Sequence, residues 1–363
     1  DTERYFTACR HSSGTTQGLK FIDTSLTAKM RFPLSATKEA ASIFQMYLYF
    51  DSSMRDAYYT MYPEWRFHHR DYSHYNIVTS SRLTTVPKND KTDRTIAIEP
   101  TVNMFLQQGL MEMMVEQLKL FGIDIETQQE LHKEYAYISS ILSNLSTIDF
   151  SSASDCIDID LVKYLLPPKW FSVLWSVRTP NVLYNGVEFK LYSFSTMGNA
   201  CTFPLETLIF YALMCAVSSY SESFGATTLC DSFKPNFSVF GDDCILPSEH
   251  TSLFMDVCRT VGFIVNNDKS FFGSEGFRES CGGDYYRGRN VRGVFFQAPS
   301  SNKRSVLRAS LYIMWNQCLK KYIQYFGTFS YVYHANALRL ILRCLQDNFD
   351  KIEVVPDEFP DDA

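Results

Sequence analysis

The chain has 363 residues, 45% of them hydrophobic, with 29 Phe and 22 Tyr and a formal net charge of −6. That is apolar material for two or three packed subdomains. The balance is too acidic for a protein that coats nucleic acid by its overall field, so any such contact must run through a local basic channel. Ten scattered cysteines, with no CxxC pair and no HExxH, argue against a zinc site and for a reducing compartment. No signal peptide is evident, and the most apolar run, 208–217, is too short to span a bilayer and reads as a buried core helix. The chain begins with Asp, as a fragment or processed product would, and ends in an acidic stretch, 357–362, that reads as a solvated tail.

In chain order, residues 1–35 read as irregular and polar, and 36–50 as a helix. Residues 51–93 are mixed and rich in Tyr, His and Arg. The apolar spacing of 102–121, closed by Gly122, predicts a second helix. Leu145 to Phe150 reads as a strand, followed by a Ser-rich turn and a helix over 157–166. Asn185-Gly186 between two apolar runs predicts a hairpin over 181–191. Residues 202–219 read as a helix with Pro204 in its first turn, 252–261 as another closed by Gly262, and 306–347 as mostly helical. Strands and helices interleave without a βαβ rhythm, which favours α+β with an antiparallel sheet.

The chemistry centres on Gly241-Asp242-Asp243 between Phe237–Phe240 and Cys244–Leu246. Two apolar runs around a tight turn predict a hairpin with its acids at the tip. Neighbouring carboxylates repel by about 4 kcal/mol at 4 Å and an effective dielectric of 20, so the fold must supply a cation or accept raised pKa values. The hard, oxygen-seeking choice is Mg²⁺. Asp149, at the end of the 145–150 strand, would meet the tip if the strands pair, giving a site for phosphoryl or nucleotidyl transfer on two ions. Asp155 reads as a substrate contact or as a helix N-cap. Lys88, Lys91 and Arg94 suit a polyphosphate or an ordinary charged strand. Ser195 and Asn199, around Gly198, could bind a sugar hydroxyl or simply cap a helix. Lys269 could protonate a leaving pyrophosphate or be a solvated loop residue. Residues 277–286 mix basic and aromatic side chains, as a nucleic-acid surface or a core hairpin does.

Together these stretches resemble the catalytic subunit of the RNA-directed RNA polymerases of single-stranded RNA bacteriophages, the levivirus or Qbeta-type replicases. The matches are colinear: VPKNDKTDRTIAIEP (86–100), IDFSSASD (148–155), LLPPKWF (165–171), STMGNACTFPLETLIF (195–210), VFGDDCILP (239–247), VGFIVNNDKSFF (261–272) and FRESCGGDYYRG (277–288). They span about residues 80–300. The resemblance implies an α+β right-hand polymerase: fingers over 1–144, a palm with an antiparallel sheet flanked by helices over 145–290, a fingers-like insertion near 167–194, and a shortened thumb over 291–363. It implies that Asp149, Asp242 and Asp243 hold two Mg²⁺ ions, with Mn²⁺ as a substitute. It further implies that Lys88, Lys91 and Arg94 hold the triphosphate and that Lys269 is the general acid. Asp155, Ser195 and Asn199 would read the ribose 2′-hydroxyl. Arg278, Glu279 and Tyr285 would lie near the growing RNA strand. The implied partners are RNA template and product, nucleoside triphosphates, and the host elongation factors Tu and Ts with a ribosomal protein. No membrane is implied, and the setting is the cytoplasm of an infected bacterium.

Some positions depart from the family pattern. Phe240 stands where Tyr usually precedes the acids, Ala200-Cys201 replaces Gly-Tyr, Pro204 replaces Glu, and Asp268 stands where Lys is common. The competing functions are a non-catalytic RNA- or host-factor-binding protein on a polymerase fold, and a reverse transcriptase. Intact acids argue against the first, and the Asp155 and Asn199 pair against the second.

Overall fold

The computed structural model describes residues 1–19, 24–31, 33–63, 72–88, 92–222, 237–294, 299, 301–324, 331–349 and 352. The chain forms two compact units, Asp1–Asn290 and Val291–Ala363. The described residues among the first 35 hold more regular structure than their polarity suggests. They hold α1 (Thr2–Ala8), α2 (Leu26–Lys29) and the start of β1 (Leu34–Ala36). Asp1 caps α1 by accepting from the Glu3 and Arg4 amides, and Tyr5 and Phe6 are buried. The unit continues through α3 (Lys38–Phe50), α4 (Ser52–Met61), β2 (Tyr75–Ile77), β3 (Ser80–Pro87), β4 (Asp93–Ile98), α5 (Thr101–Leu120) and α6 (Ile125–Leu142).

Next come β5 (Leu145–Ile148), a 3₁₀ turn at Ala153–Cys156, α7 (Ile159–Leu165), α8 (Pro168–Val177), β6 (Asn181–Tyr184), β7 (Val187–Lys190) and α9 (Thr202–Glu222). The unit closes with β8 (Ser238–Phe240), β9 (Asp243–Pro247), α10 (Thr251–Thr260), β10 (Phe277–Ser280), β11 (Gly283–Tyr286) and β12 (Arg289–Asn290). The sheets are not purely antiparallel, because β1 pairs parallel with β2 and β3 parallel with β6. The four-stranded sheet has the order β4-β3-β6-β7, and the sheet that carries the acids has the order β5-β9-β8, antiparallel throughout.

Two long helices form the centre. α5 buries Val102, Phe105, Leu106, Leu110 and Met114, and α9 buries Leu205, Ile209, Phe210, Leu213 and Met214. α9 is 21 residues, longer than the apolar run alone indicated, and by length and composition it could cross a membrane. Here it serves as a core helix, with Phe210 stacked on Phe150 at 4.4 Å and tilted against Phe263 at 4.6 Å. Gly122, at φ 85, ends α5, and its amide donates to the Lys119 carbonyl. The second unit pairs α11 (Arg304–Gln324) with α12 (Tyr331–Asn348) around Cys318, Leu338, Ile341 and Leu345.

Candidate active site

Strand register brings the acids together. Ile148 of β5 pairs with Cys244 of β9, so Asp149, one residue on, comes level with Asp243. Phe240 pairs with Asp243, which leaves Gly241 and Asp242 as a two-residue tip. Gly241 takes φ 63, and a Cβ there would lie 2.6 Å from a ring carbon of Phe203 on α9. Its amide donates to Thr207 Oγ1 at 3.0 Å. The tip is therefore pressed from behind by α9, and only glycine satisfies both the turn and that contact.

Asp149 is fixed from the opposite side. The segment 263–271 runs antiparallel to β5, bridging at Phe150–Val265 and Thr147–Phe271. Asn266 donates its amide to the Asp149 carbonyl at 2.9 Å and its Nδ2 to Asp149 Oδ2 at 2.8 Å. The Asp149 amide donates to Ser270 Oγ at 3.2 Å. Asn266 was not singled out from the sequence; its only signal was its place three residues before Lys269.

Burial lifts all three acids above their ordinary values. Asp149 is raised by burial and then by Asp242, against the pull of Lys269 and Lys88. Asp242 is raised by burial, against Arg94, Lys88 and Lys269. Asp243 is pushed up to about 6 by burial and by Asp242. The structure thus places Lys88, Arg94 and Lys269, all exposed, within electrostatic reach of the acids. Lys88 and Arg94 flank the β3–β4 turn; Lys91, between them, lies outside the described residues.

Among the described residues, no group of three acids, histidines or cysteines encloses an ion by itself. Asp149, Asp242 and Asp243, within one another's field on a strand end and a hairpin tip, offer the hard oxygen donors that a divalent cation takes, and such a cation can fill its remaining positions with water or phosphate oxygens.

Asp155 sits on the 3₁₀ turn after β5, and it is not the cap of α7. Asp158 fills that role, accepting from the Asp160 amide at 2.7 Å. Asp155 shares its field with Glu206, an acid that the sequence reading passed over inside TFPLETLIF. Glu206 is buried in the first turns of α9 and faces Asp242, Asp155 and Asp243. Burial and then those three acids push it up to about 8, so it is mostly neutral at pH 7.

Ser195 and Asn199 are buried in the loop before α9. Ser195 Oγ accepts from Thr202 Oγ1 at 2.8 Å, and Asn199 Oδ1 accepts from the Cys201 amide at 2.9 Å. The loop is tied to β4 by the Ala97 amide, which donates to the Met197 carbonyl at 2.7 Å. A Cβ on Gly198 would fall 2.2 Å from the Ala97 carbonyl oxygen. A buried polar network supports this junction. Glu99 accepts from Gln107 Nε2 at 3.2 Å and Thr179 Oγ1 at 3.1 Å, and Gln107 Oε1 accepts from the Ala200 amide at 3.4 Å. Burial pushes Glu99 up to about 7, against these hydrogen bonds and Arg178.

At Arg278 the FRESCG segment follows the core-hairpin alternative rather than the strand-facing role that the resemblance implied. Arg278 is fully buried, and its guanidinium donates to the carbonyls of Leu145, Phe277 and Gly273 at 2.7, 2.7 and 2.8 Å. A side chain so engaged cannot lie against a growing RNA strand, so Arg278 is a strut joining β10 to β5. Glu279 is half-buried, its amide donating to Thr147 Oγ1 at 3.4 Å, and Tyr285 packs edge-on against Tyr137 at 5.6 Å.

An acid-tipped hairpin beside a strand-end Asp, on an α+β scaffold, has the arrangement of the right-hand polymerase fold. The structure is similar to that of the BmCPV RNA-dependent RNA polymerase at elongation state, with a TM-score of 0.50 and 12% identity, covering 73% of this chain and 26% of that one. At that identity the likeness concerns the fold alone. Residues 1–318 match the family described as RNA replicase, beta-chain, and the chain belongs to that family. It is 38% identical over 290 residues to the RNA-directed RNA polymerase subunit beta of Qbeta virus (strain MX1), covering 78% of this chain and 45% of that relative. To the same-named subunit of Escherichia virus Qbeta it is 42% identical over 213 residues, covering 58% and 34%. To the RNA-directed RNA polymerase beta chain of Escherichia phage MS2 it is 36% identical over 228 residues, covering 63% and 40%. The chain therefore spans less than half the length of each of these three relatives.

Proposed function

We propose that this chain carries the catalytic centre of an RNA-directed RNA polymerase that copies a viral single-stranded RNA genome from nucleoside triphosphates in an infected bacterium. The observation that carries this reading is the register that sets Asp149 level with Asp243 beside the Asp242 tip, with Lys88, Arg94 and Lys269 in their field. Asp149 and Asp242, with Asp243 behind them, would hold two Mg²⁺ ions. Held there, such ions would supply activation of the primer 3′-hydroxyl and charge stabilisation of the pyrophosphate leaving group. Lys88 and Arg94, with Lys91, bind the triphosphate through charge-assisted hydrogen bonds. Lys269 delivers a proton to the departing pyrophosphate. Asn199, its Oδ1 engaged by Cys201, presents its NH₂ to the ribose, and Asp155 and Ser195 complete the 2′-hydroxyl pocket. Residues 1–144 would form the fingers, 145–290 the palm with its insertion at 167–194, and 291–363 the thumb. Glu279 and Tyr285 remain candidates for the growing strand.

The test is extension on an RNA template with labelled ribonucleotides or deoxyribonucleotides and Mg²⁺, with and without elongation factors Tu and Ts and the ribosomal protein. Template-dependent product made from ribonucleotides is the expected result. RNA binding without incorporation under every condition would favour the non-catalytic reading, and a preference for deoxyribonucleotides would favour a reverse transcriptase.

A further inference from the structure

The turn between β10 and β11 holds an unexpected residue. Ser280 pairs with Gly283, so Cys281 and Gly282 form a two-residue tip, at φ 48 and φ 76. Such a turn selects Asn, Asp or Gly at its first position, because a Cβ is disfavoured at positive φ. Cys281 occupies that position against the preference, and its contacts supply the reason. Its amide donates to Asp243 Oδ2 at 3.2 Å, and its Sγ approaches the same oxygen at 3.4 Å.

The contact continues into the core. Ser280 Oγ lies 3.9 Å from Cys281 Sγ, and His132 Nδ1 lies 2.9 Å from Ser280 Oγ. His132 is fully buried on α6, and its Nε2 is buried without a hydrogen-bond partner among the described residues. Placing the proton on Nδ1 leaves a bare lone pair at Nε2 rather than an orphaned N–H, the less costly arrangement. Every donor then points the same way: His132 Nδ1–H to Ser280 Oγ, Ser280 O–H to Cys281 Sγ, and Cys281 S–H to Asp243 Oδ2. Gln129 Nε2 also reaches the Cys281 carbonyl at 3.5 Å, so α6 holds the turn at two points.

We propose that Cys281 is a positioning residue for Asp243. Its amide and thiol both meet Oδ2, so they fix the rotation of the carboxylate and leave Oδ1 as the oxygen offered to a divalent cation. This rests on the metal-binding reading of the three acids, and the test separates the two.

The full chain is titrated with Mn²⁺ alone, and free Mn²⁺ is followed by electron paramagnetic resonance, with folding checked by circular dichroism. Cys281→Ala should weaken Mn²⁺ binding about tenfold, whereas Cys281→Ser, which keeps a donor, should stay within about twofold of the parent. Asp242→Asn serves as the control. If it loses Mn²⁺ while Cys281→Ala does not, the positioning role is overturned and the metal site stands. If Asp242→Asn binds like the parent, the metal reading itself is overturned, and the positioning role with it. A second measurement covers the case in which Cys281→Ala fails to fold. The iodoacetamide labelling rate of Cys281, read by peptide mass, is compared between the parent and Asp243→Asn. Loss of the carboxylate should speed labelling about tenfold, by releasing the thiol from its contact with Oδ2; equal rates would overturn the proposal.

Discussion

At the residue scale, the site is a balance between burial, which disfavours charge, and a few donors that hold charge in place. Gly241 shows how tight the packing is. Gly241→Ala forces a Cβ to within 2.6 Å of the Phe203 ring at a backbone φ of 63. Displacing the tip by a fraction of an ångström should slow incorporation at least about tenfold, measured as nucleotide addition per unit of folded protein. An unchanged rate would show that the tip tolerates movement. Asn199→Ala should reduce discrimination between ribo- and deoxyribonucleotides about tenfold, read from competing incorporation of the two. A purely structural Asn199 would lower both rates equally.

Glu99 gives the residue-scale pH prediction. Its pKa is about 7 in the fold against an ordinary 4.5, so the folded state holds a proton that the unfolded chain has released. Its contribution is therefore fully present below about pH 4.5 and is lost as pH rises through 7. Glu99→Gln should flatten the fall in Tm between pH 5 and 8; parallel curves for parent and variant would contradict a buried, protonated Glu99.

At the element scale, the parts that could be read from the sequence are those set by local turn chemistry. Gly241 at the acid hairpin, Asn185-Gly186 at φ 51 and 80, and the helix-ending Gly122 and Gly262 all stand where their sequence neighbours predicted. The helix α6 was not predicted, because its inward face is polar. Gln128, His132, Ser139 and Ser140 are buried there, and three of them meet distant partners. Gln128 bonds Ser238, His132 bonds Ser280, and Ser140 accepts from the Gly288 amide at 2.9 Å. No window of sequence announces partners more than 100 residues away. Arg278 was misread for the same reason. A charged side chain reads as exposed until the fold brings three carbonyls around it. Arg278→Ala should destabilise the chain by about 3 kcal/mol, measured by urea unfolding, because three buried acceptors lose their donor. RNA affinity of the folded fraction should be unchanged, and a selective loss of RNA binding at full stability would restore the original reading.

At the scale of the whole molecule, the larger unit unites segments far apart in sequence. Lys88, Arg94, Asp149, Asp155, Glu206, Asp242, Asp243, Asn266, Lys269 and Cys281 meet at one sheet end, while the separate unit from Val291 onward holds a helical pair with its own core. The colinear motifs made the acids and their flanking cations legible, because the chemistry needs those side-chain types. Glu206, Glu99, Asn266 and Cys281 were not assigned roles, because their parts depend on burial and contact that only the fold creates.

Asp242 is the residue at which nucleotidyl transfer by this hairpin can be tested most sharply. The most direct measurement is single-nucleotide addition to a primed RNA template by the parent chain and by Asp242→Asn, in Mg²⁺, with the circular dichroism spectrum and Tm of both recorded. Removing one carboxylate from the centre should lower the rate by at least about a thousandfold while the fold is retained. Addition by Asp242→Asn at a rate near that of the parent would contradict the assignment of this hairpin as the site of nucleotidyl transfer.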